Sequence, residues 1–172
     1  ALLALLIFMG LTAHGGWWRL LGVEHMRPFY ADTVTTLAAS ETWAEGGNPF
    51  EDNYRDPYGR PHTYGPWWLW AAALGLERRD AWWLGSLLVL AFVGVAAAVA
   101  RPRTPGQAAL LLLCLVSPPS LLGLERANSD LIIFVLLAGA AWLLSRPRAR
   151  GADAAATAVL VAVAALKFYP LI

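Results

Sequence analysis

The residues able to do chemistry stand out because they interrupt an otherwise apolar chain. Glu125-Arg126-Ala127-Asn128-Ser129-Asp130 lies between two long apolar runs, 107–122 and 131–144. A charge inside hydrocarbon costs roughly 2.5–3.5 kcal/mol on insertion scales, so charges in such places pair, reach water or act on a substrate. In the plainest view the segment is a polar turn in water between two spans. In the chemical view Arg126 offers a planar fork of donors that matches phosphate oxygens. Lys167-Phe168-Tyr169-Pro170 is the second such segment. Lys167 follows a run of Ala, Val and Leu. There it snorkels to an interface, pairs with Glu125 or Asp130, or joins Arg126 in holding an anionic headgroup such as a lipid phosphate. Asp32 is the acid best suited to act as a catalytic base, and its competing role is N-cap of a helix that starts there. Glu51, Asp52 and Asp56 are weaker candidates, because loop carboxylates are generally solvated. His62 has a suitable intrinsic pKa but no obvious partner. No His/Cys/Asp group has metal-ligand spacing, and there is no Gly-rich phosphate loop or nucleophile elbow. Cys114, the single cysteine, sits in an apolar run and reads as a small packing residue.

The elements that must position these groups follow from composition. Of 172 residues, 58% are hydrophobic and only 15% charged, and the mean hydropathy is +0.52. Soluble domains carry about 25% charged residues, so the class is integral membrane protein. Arginines scatter in short loops rather than along one face, which excludes a nucleic-acid surface. Apolar runs predict an all-α, polytopic transmembrane bundle with spans at about 1–13, 82–100, 107–122, 131–144 and 154–172. The first and last runs read as cut short, which makes the chain the N-terminal part of a longer protein. A signal-peptide core is the rival for residues 1–13, but it lacks a basic n-region and a good cleavage site. Between spans one and two lies a long polar region, 14–80. It predicts a helix over Asp32–Glu45, with Val34, Leu37, Ala38 and Ala44 roughly on one face, ended by Gly46-Gly47 and Pro49. An aromatic, turn-rich stretch follows over 48–66, then an interfacial helix from Pro66 to Leu76. Pro118-Pro119 breaks the third span near its end.

Short loops rich in Lys and Arg stay cytoplasmic. Arg101-Pro102-Arg103 and Arg146-Pro147-Arg148-Ala149-Arg150 both follow even-numbered spans, so the long loop and the 123–130 turn lie outside. All tryptophans but Trp142 fall in or beside that outer region, as a broad interfacial platform would require. Span five then carries Lys167 about 20 Å up a core roughly 30 Å thick. Asp32, the Glu125–Asp130 turn and Lys167 are therefore expected on one side, in a cell-membrane, multi-pass protein.

Together these segments resemble a known pattern. Glu125-Arg126-Ala127-Asn128-Ser129-Asp130 resembles an E-R-G-N-x-D signature at the head of a span, with Ala127 in place of the glycine. Lys167-Phe168-Tyr169-Pro170 resembles K-x-Y-P. Gly46-Gly47-Asn48-Pro49-Phe50 and Tyr64-Gly65-Pro66 resemble the G-x-N-P-[YF] and Y-x-P elements of a large first outer loop. The set is similar to glycosyltransferase family 87 of the GT-C superfamily. The resemblance implies an enzyme that moves a sugar, mannose in the polyprenyl-phosphate-mannose-dependent type, onto a lipid or glycan acceptor with inversion. It implies Asp32 as catalytic base, Arg126 and Lys167 as ligands of the donor phosphate, and Asn128, Asp130, Tyr64 and Tyr169 as residues orienting Arg126 or the substrate. It requires no cofactor and is compatible with a divalent metal. The alternative class is a non-enzymatic transporter or lipid-binding membrane protein with Lys167 and Asp130 as a substrate-linked ion pair.

Overall fold

The computed structural model describes residues 15–145 and 151–167. The expected first span, the 146–150 loop and Tyr169 lie outside them. Among the described residues the structure is all-helical. The helices are α1 (Gly15–Leu20), α2 (Ala31–Ala44), α3 (Ala81–Ala100), α4 (Pro105–Leu115), α5 (Pro118–Arg126), α6 (Ser129–Leu144) and α7 (Ala152–Lys167). Two 3-10 segments, Pro66–Leu74 and Arg78–Asp80, precede α3.

Helix α2 is the pillar of the outer region. It starts one residue earlier than expected, after Tyr30 in the left-handed region at φ 60°, and no side chain caps it. Asp32 therefore sits inside the first turn and is not the N-cap. The expected single apolar face is also corrected. Ala31 through Ser40, and Thr42, are all buried, whereas Ala44 is exposed. Its threonines survive burial because their hydroxyls find acceptors, as when Thr36 donates to the Asp32 carbonyl at 2.9 Å. Ser40 likewise donates to the Leu69 carbonyl at 3.0 Å, which docks the Pro66–Leu74 segment along α2. Val34, Leu37 and Ala81 seal this layer, with Ala71, Leu76 and Leu84 packed around them.

Helix α3 follows its 3-10 lead-in, where Glu77 and Asp80 form a reciprocal capping box. The continuous stretch Arg78–Ala100 is long and apolar enough to cross a membrane. Helices α4 and α5 meet that criterion only as a pair, bent by 60°. Helix α6 is apolar but has 16 residues, about 24 Å at 1.5 Å each. The break between α4 and α5 falls at Val116–Ser117 and not at the prolines. Pro118 and Pro119 begin α5, since a residue without an N–H loses nothing in a first turn. Consequently Glu125 and Arg126 belong to a helix that outruns the expected end at Leu122, and the turn is confined to Ala127-Asn128.

Helix α6 packs against α3 and α7, with Phe92 and Phe134 edge to face at 5.0 Å between centroids. Trp18, Val23, Tyr30, Val89, Leu121, Leu124, Ala127 and Leu131 form the core beneath the turn. The Tyr30 ring lies so close to α3 that a Cβ at Gly85 would sit 2.3 Å from it. Trp43, Trp67, Trp70, Trp82 and Trp83 are exposed, in keeping with an interfacial role, whereas Trp18 is buried in this core. Cys114 is exposed on α4 and is not the packing residue anticipated.

Candidate functional site

The turn Ala127-Asn128 holds the site together because one side chain serves two elements. The Asn128 Oδ1 accepts the Asp130 backbone N–H at 2.8 Å and caps α6. Its Nδ2 donates to Asp32 Oδ2 at 2.7 Å. Thr33, the next residue of α2, donates to the Ala127 carbonyl at 2.9 Å. Two residues 96 positions apart are thus fixed on each other by groups that the turn and the helix start supply anyway. Ala127 adopts φ 44°, the left-handed conformation in which glycine is unstrained.

Asp32 is buried, with its second oxygen facing a cation. Arg60 Nη1 donates to Asp32 Oδ1 at 3.2 Å. Arg60 belongs to the outer loop and is braced there by Asp56. The Asp56 carboxylate takes the Arg60 backbone N–H at 2.8 Å, the Tyr58 N–H at 3.2 Å and the Thr35 hydroxyl at 2.6 Å. That hydroxyl has one proton, and Asp56 is the nearer of its two acceptors, the other being the Ala31 carbonyl at 2.9 Å. Asp56, expected to be a solvated loop carboxylate, is therefore a buried hub. Neither it nor Arg60 is legible from spacing; the only signal was the Asp56-Pro57-Tyr58-Gly59 turn. Asp56→Ala removes the acceptor for all these donors, and the expected loss is about 3 kcal/mol of stability. Denaturant unfolding of the purified chain measures it, and wild-type stability would show that the hub is dispensable.

Lys167 arrives from α7 and pairs with Asp130. Its approach is set by the outer loop, since the Gly65 N–H and the Trp68 indole both donate to the Leu166 carbonyl, at 3.1 and 3.0 Å. Tyr64 is half-buried beside Ser129, and burial first, then the Asp32 charge, raises its pKa above the usual tyrosine value. His62 lies between Phe50 and Tyr64 with ring centroids 5.3 and 5.9 Å away. Burial pushes its pKa below the usual histidine value, partly offset by the Gly65 carbonyl, so it is a neutral packing residue. Glu51 and Asp52 remain exposed.

Arg126 occupies the other flank. Among the described residues it shares no hydrogen bond with Asn128, Asp130 or Asp32, so of the two expected targets of Asn128 and Asp130, Arg126 or the substrate, Arg126 is not held by them through a hydrogen bond. Its neighbour is Glu125, with Nε and Oε2 4.0 Å apart. Glu125 is fully buried and its other oxygen accepts from His25 Nδ1 at 2.8 Å and the Met26 N–H at 3.0 Å. Arg126 lines a cavity of about 310 Å³ together with Asn128, Asp130 and Ser120, faced by Phe92, Leu122 and Leu131. The buried Arg126 Nε makes no hydrogen bond among the described residues. The lining therefore mixes a cation, a carboxylate, an amide and a hydroxyl with apolar side chains.

The structure thus gathers Asp32, Asn128, Asp130, Lys167 and Tyr64 and puts Arg126 in the lining of a cavity that Asn128 and Asp130 also line. Among the described residues no three His, Cys, Asp or Glu side chains gather to hold a metal ion. No protein-family model, curated protein or solved structure matches the chain.

Proposed function

We propose that the chain is part of a multi-span membrane glycosyltransferase of the GT-C type. It transfers a sugar, mannose by its likeness to family 87, from a polyprenyl-phosphate donor to an acceptor hydroxyl outside the cytoplasm. The observation that carries this reading is the meeting of the buried Asp32 carboxylate, through Asn128, with a turn whose flanking residues Arg126 and Asp130 line a cavity of mixed polar and apolar walls. In the reaction the acceptor oxygen attacks the anomeric carbon and forms the new C–O bond with inversion. The bond from that carbon to the phosphate oxygen breaks, and its electron pair leaves with the phosphate. Asp32 takes the hydroxyl proton. Arg126 and Lys167 stabilise the charge growing on the phosphate, Lys167 from its seat on Asp130. The apolar stretch Arg78–Ala100 supports one crossing and the bent α4–α5 pair a second as one broken span, whose α5 half lines the cavity.

A charge-assisted hydrogen bond contributes about 1.5–3 kcal/mol, so Arg126→Ala and Lys167→Ala are each expected to raise the donor KM roughly ten- to a hundredfold. Titration with labelled polyprenyl-phosphate mannose measures this. An unchanged donor KM would remove the residue concerned from the phosphate site.

The Lys167–Asp130 ion pair also favours a second reading, a transporter or lipid-binding protein in which that pair breaks on substrate binding. The two part company when membranes carrying the full-length protein receive labelled donor. Sugar appearing on an acceptor supports the transferase; binding or movement of intact donor without transfer supports the alternative.

A further inference from the structure

We infer that Arg60 is the positioning residue for Asp32; this rests on the transferase reading and deepens it. Asp32 is a short side chain in the first turn of α2, and its carboxylate can be turned about two bonds. A base must present one oxygen along one direction. Asn128 fixes Oδ2, at 2.7 Å. The second constraint comes from Arg60 Nη1 on Oδ1, at 3.2 Å.

What marks Arg60 as a fixed reference is how completely it is held. Its backbone N–H and Nε both point to Asp56 Oδ2, at 2.8 and 3.5 Å. Its Nη2 donates to the Ala31 carbonyl at 3.0 Å and also contacts the Thr35 hydroxyl. Its guanidinium lies 4.6 Å from the Tyr58 ring centroid. Asp56 is itself inaccessible and pinned by Thr35. The charge of Arg60 is therefore already balanced by Asp56, and holding the outer loop needs no second carboxylate. The remaining nitrogen goes to Asp32. A rigid fork is required, because a single ammonium cannot reach Asp56, the Ala31 carbonyl and Asp32 together. Asp56, Arg60, Asp32 and Asn128 make one chain of contacts from the loop to the turn.

The test uses the full-length protein in membranes with labelled polyprenyl-phosphate mannose, reading kcat and donor KM. Arg60→Gln is expected to lower kcat about tenfold or more, the cost of a misaimed group, with donor KM within twofold. Arg60→Lys is expected to recover only part of the loss. The deciding measurement is a cycle with Asp32→Glu, which keeps a carboxylate in a displaced position. If Arg60 acts through Asp32, the double variant is no slower than Asp32→Glu alone, to within about twofold. If the two losses multiply, Arg60 is a structural residue and the inference is overturned. Should Arg60→Gln fail to fold, the same cycle with Arg60→Lys decides by the same criterion. A wild-type chain that transfers no sugar sinks the transferase reading itself and this inference with it. An active wild type with multiplying losses sinks this inference alone.

Discussion

Asp32→Asn is expected to lower sugar transfer by about 10²–10⁴-fold, the range lost with a positioned general base, while the chain still folds. The amide is nearly isosteric with the carboxylate, so α2 and its packing keep their shape. The hydrogen bonding explains why some stability is lost as well. Both Asp32 oxygens face donors, Arg60 Nη1 on one side and Asn128 Nδ2 on the other. An amide has one acceptor oxygen, so one of these donors meets an NH₂ group instead. Asn128 cannot relieve the conflict by flipping, because its Oδ1 is committed to the Asp130 N–H that it caps. The expected loss of stability is therefore about 1–3 kcal/mol, to be read by thermal unfolding in detergent. Transfer from labelled donor is measured alongside, normalised to folded protein. A rate within twofold of wild type would remove Asp32 from the role of base. A lost rate in a chain that has also unfolded would show only that the Asp32–Asn128 link is structural, and Asp32→Glu then separates the two.

The places where sequence and structure agree and disagree have physical causes. Asn128, Asp130 and Lys167 were legible because polar and charged residues between apolar runs are scarce in this chain and have to be accounted for, whereas Asp32 stood out only as an acid at the start of an expected helix. Asp56 and Arg60 were not legible. They lie among several charged residues of a polar loop, where a solvated carboxylate and a buried one look alike in one dimension. The start of α2 was misplaced by one residue because Asp is a favoured cap, whereas the structure uses Tyr30 in a left-handed conformation and leaves Asp32 free to bond elsewhere. Val34, Leu37, Ala38 and Ala44 read as one apolar face, yet residues 31–40 are all buried, the threonines with their hydroxyls satisfied, so periodicity concealed a segment enclosed on all sides. Pro118-Pro119 signalled a break correctly in kind. The break lies before them because proline ends one helix and is well suited to open the next.

Gly65→Ala is the substitution expected to cost the most stability per atom added. Gly65 has φ −60° and ψ 153°, a conformation any residue adopts, so the demand for glycine here is one of space alone. A Cβ at this position would lie 1.9 Å from the Ala165 carbonyl oxygen and 3.1 Å from that of Leu166. These are backbone atoms at the end of α7, and they cannot swing aside as the tip of a side chain would. The helix end must retreat, and the Gly65 and Trp68 hydrogen bonds to the Leu166 carbonyl go with it. Overpacking of about 1–3 kcal/mol plus two hydrogen bonds of about 1 kcal/mol each gives an expected loss near 3–5 kcal/mol. Trp68→Phe, which removes one donor and adds no atom, should cost only about 1 kcal/mol. Ala165→Gly should not rescue Gly65→Ala, because the obstacle is the carbonyl and not the methyl. The displacement also has a functional readout. Lys167 is the residue after Leu166 and pairs with Asp130, so its ammonium moves with the helix end. Gly65→Ala should then weaken donor binding as Lys167→Ala does, and the two together should be little worse than either. Wild-type stability in Gly65→Ala would mean that α7 does not dock on the outer loop at Gly65. Lys167 would then owe its place beside Asp130 to the α6–α7 packing alone.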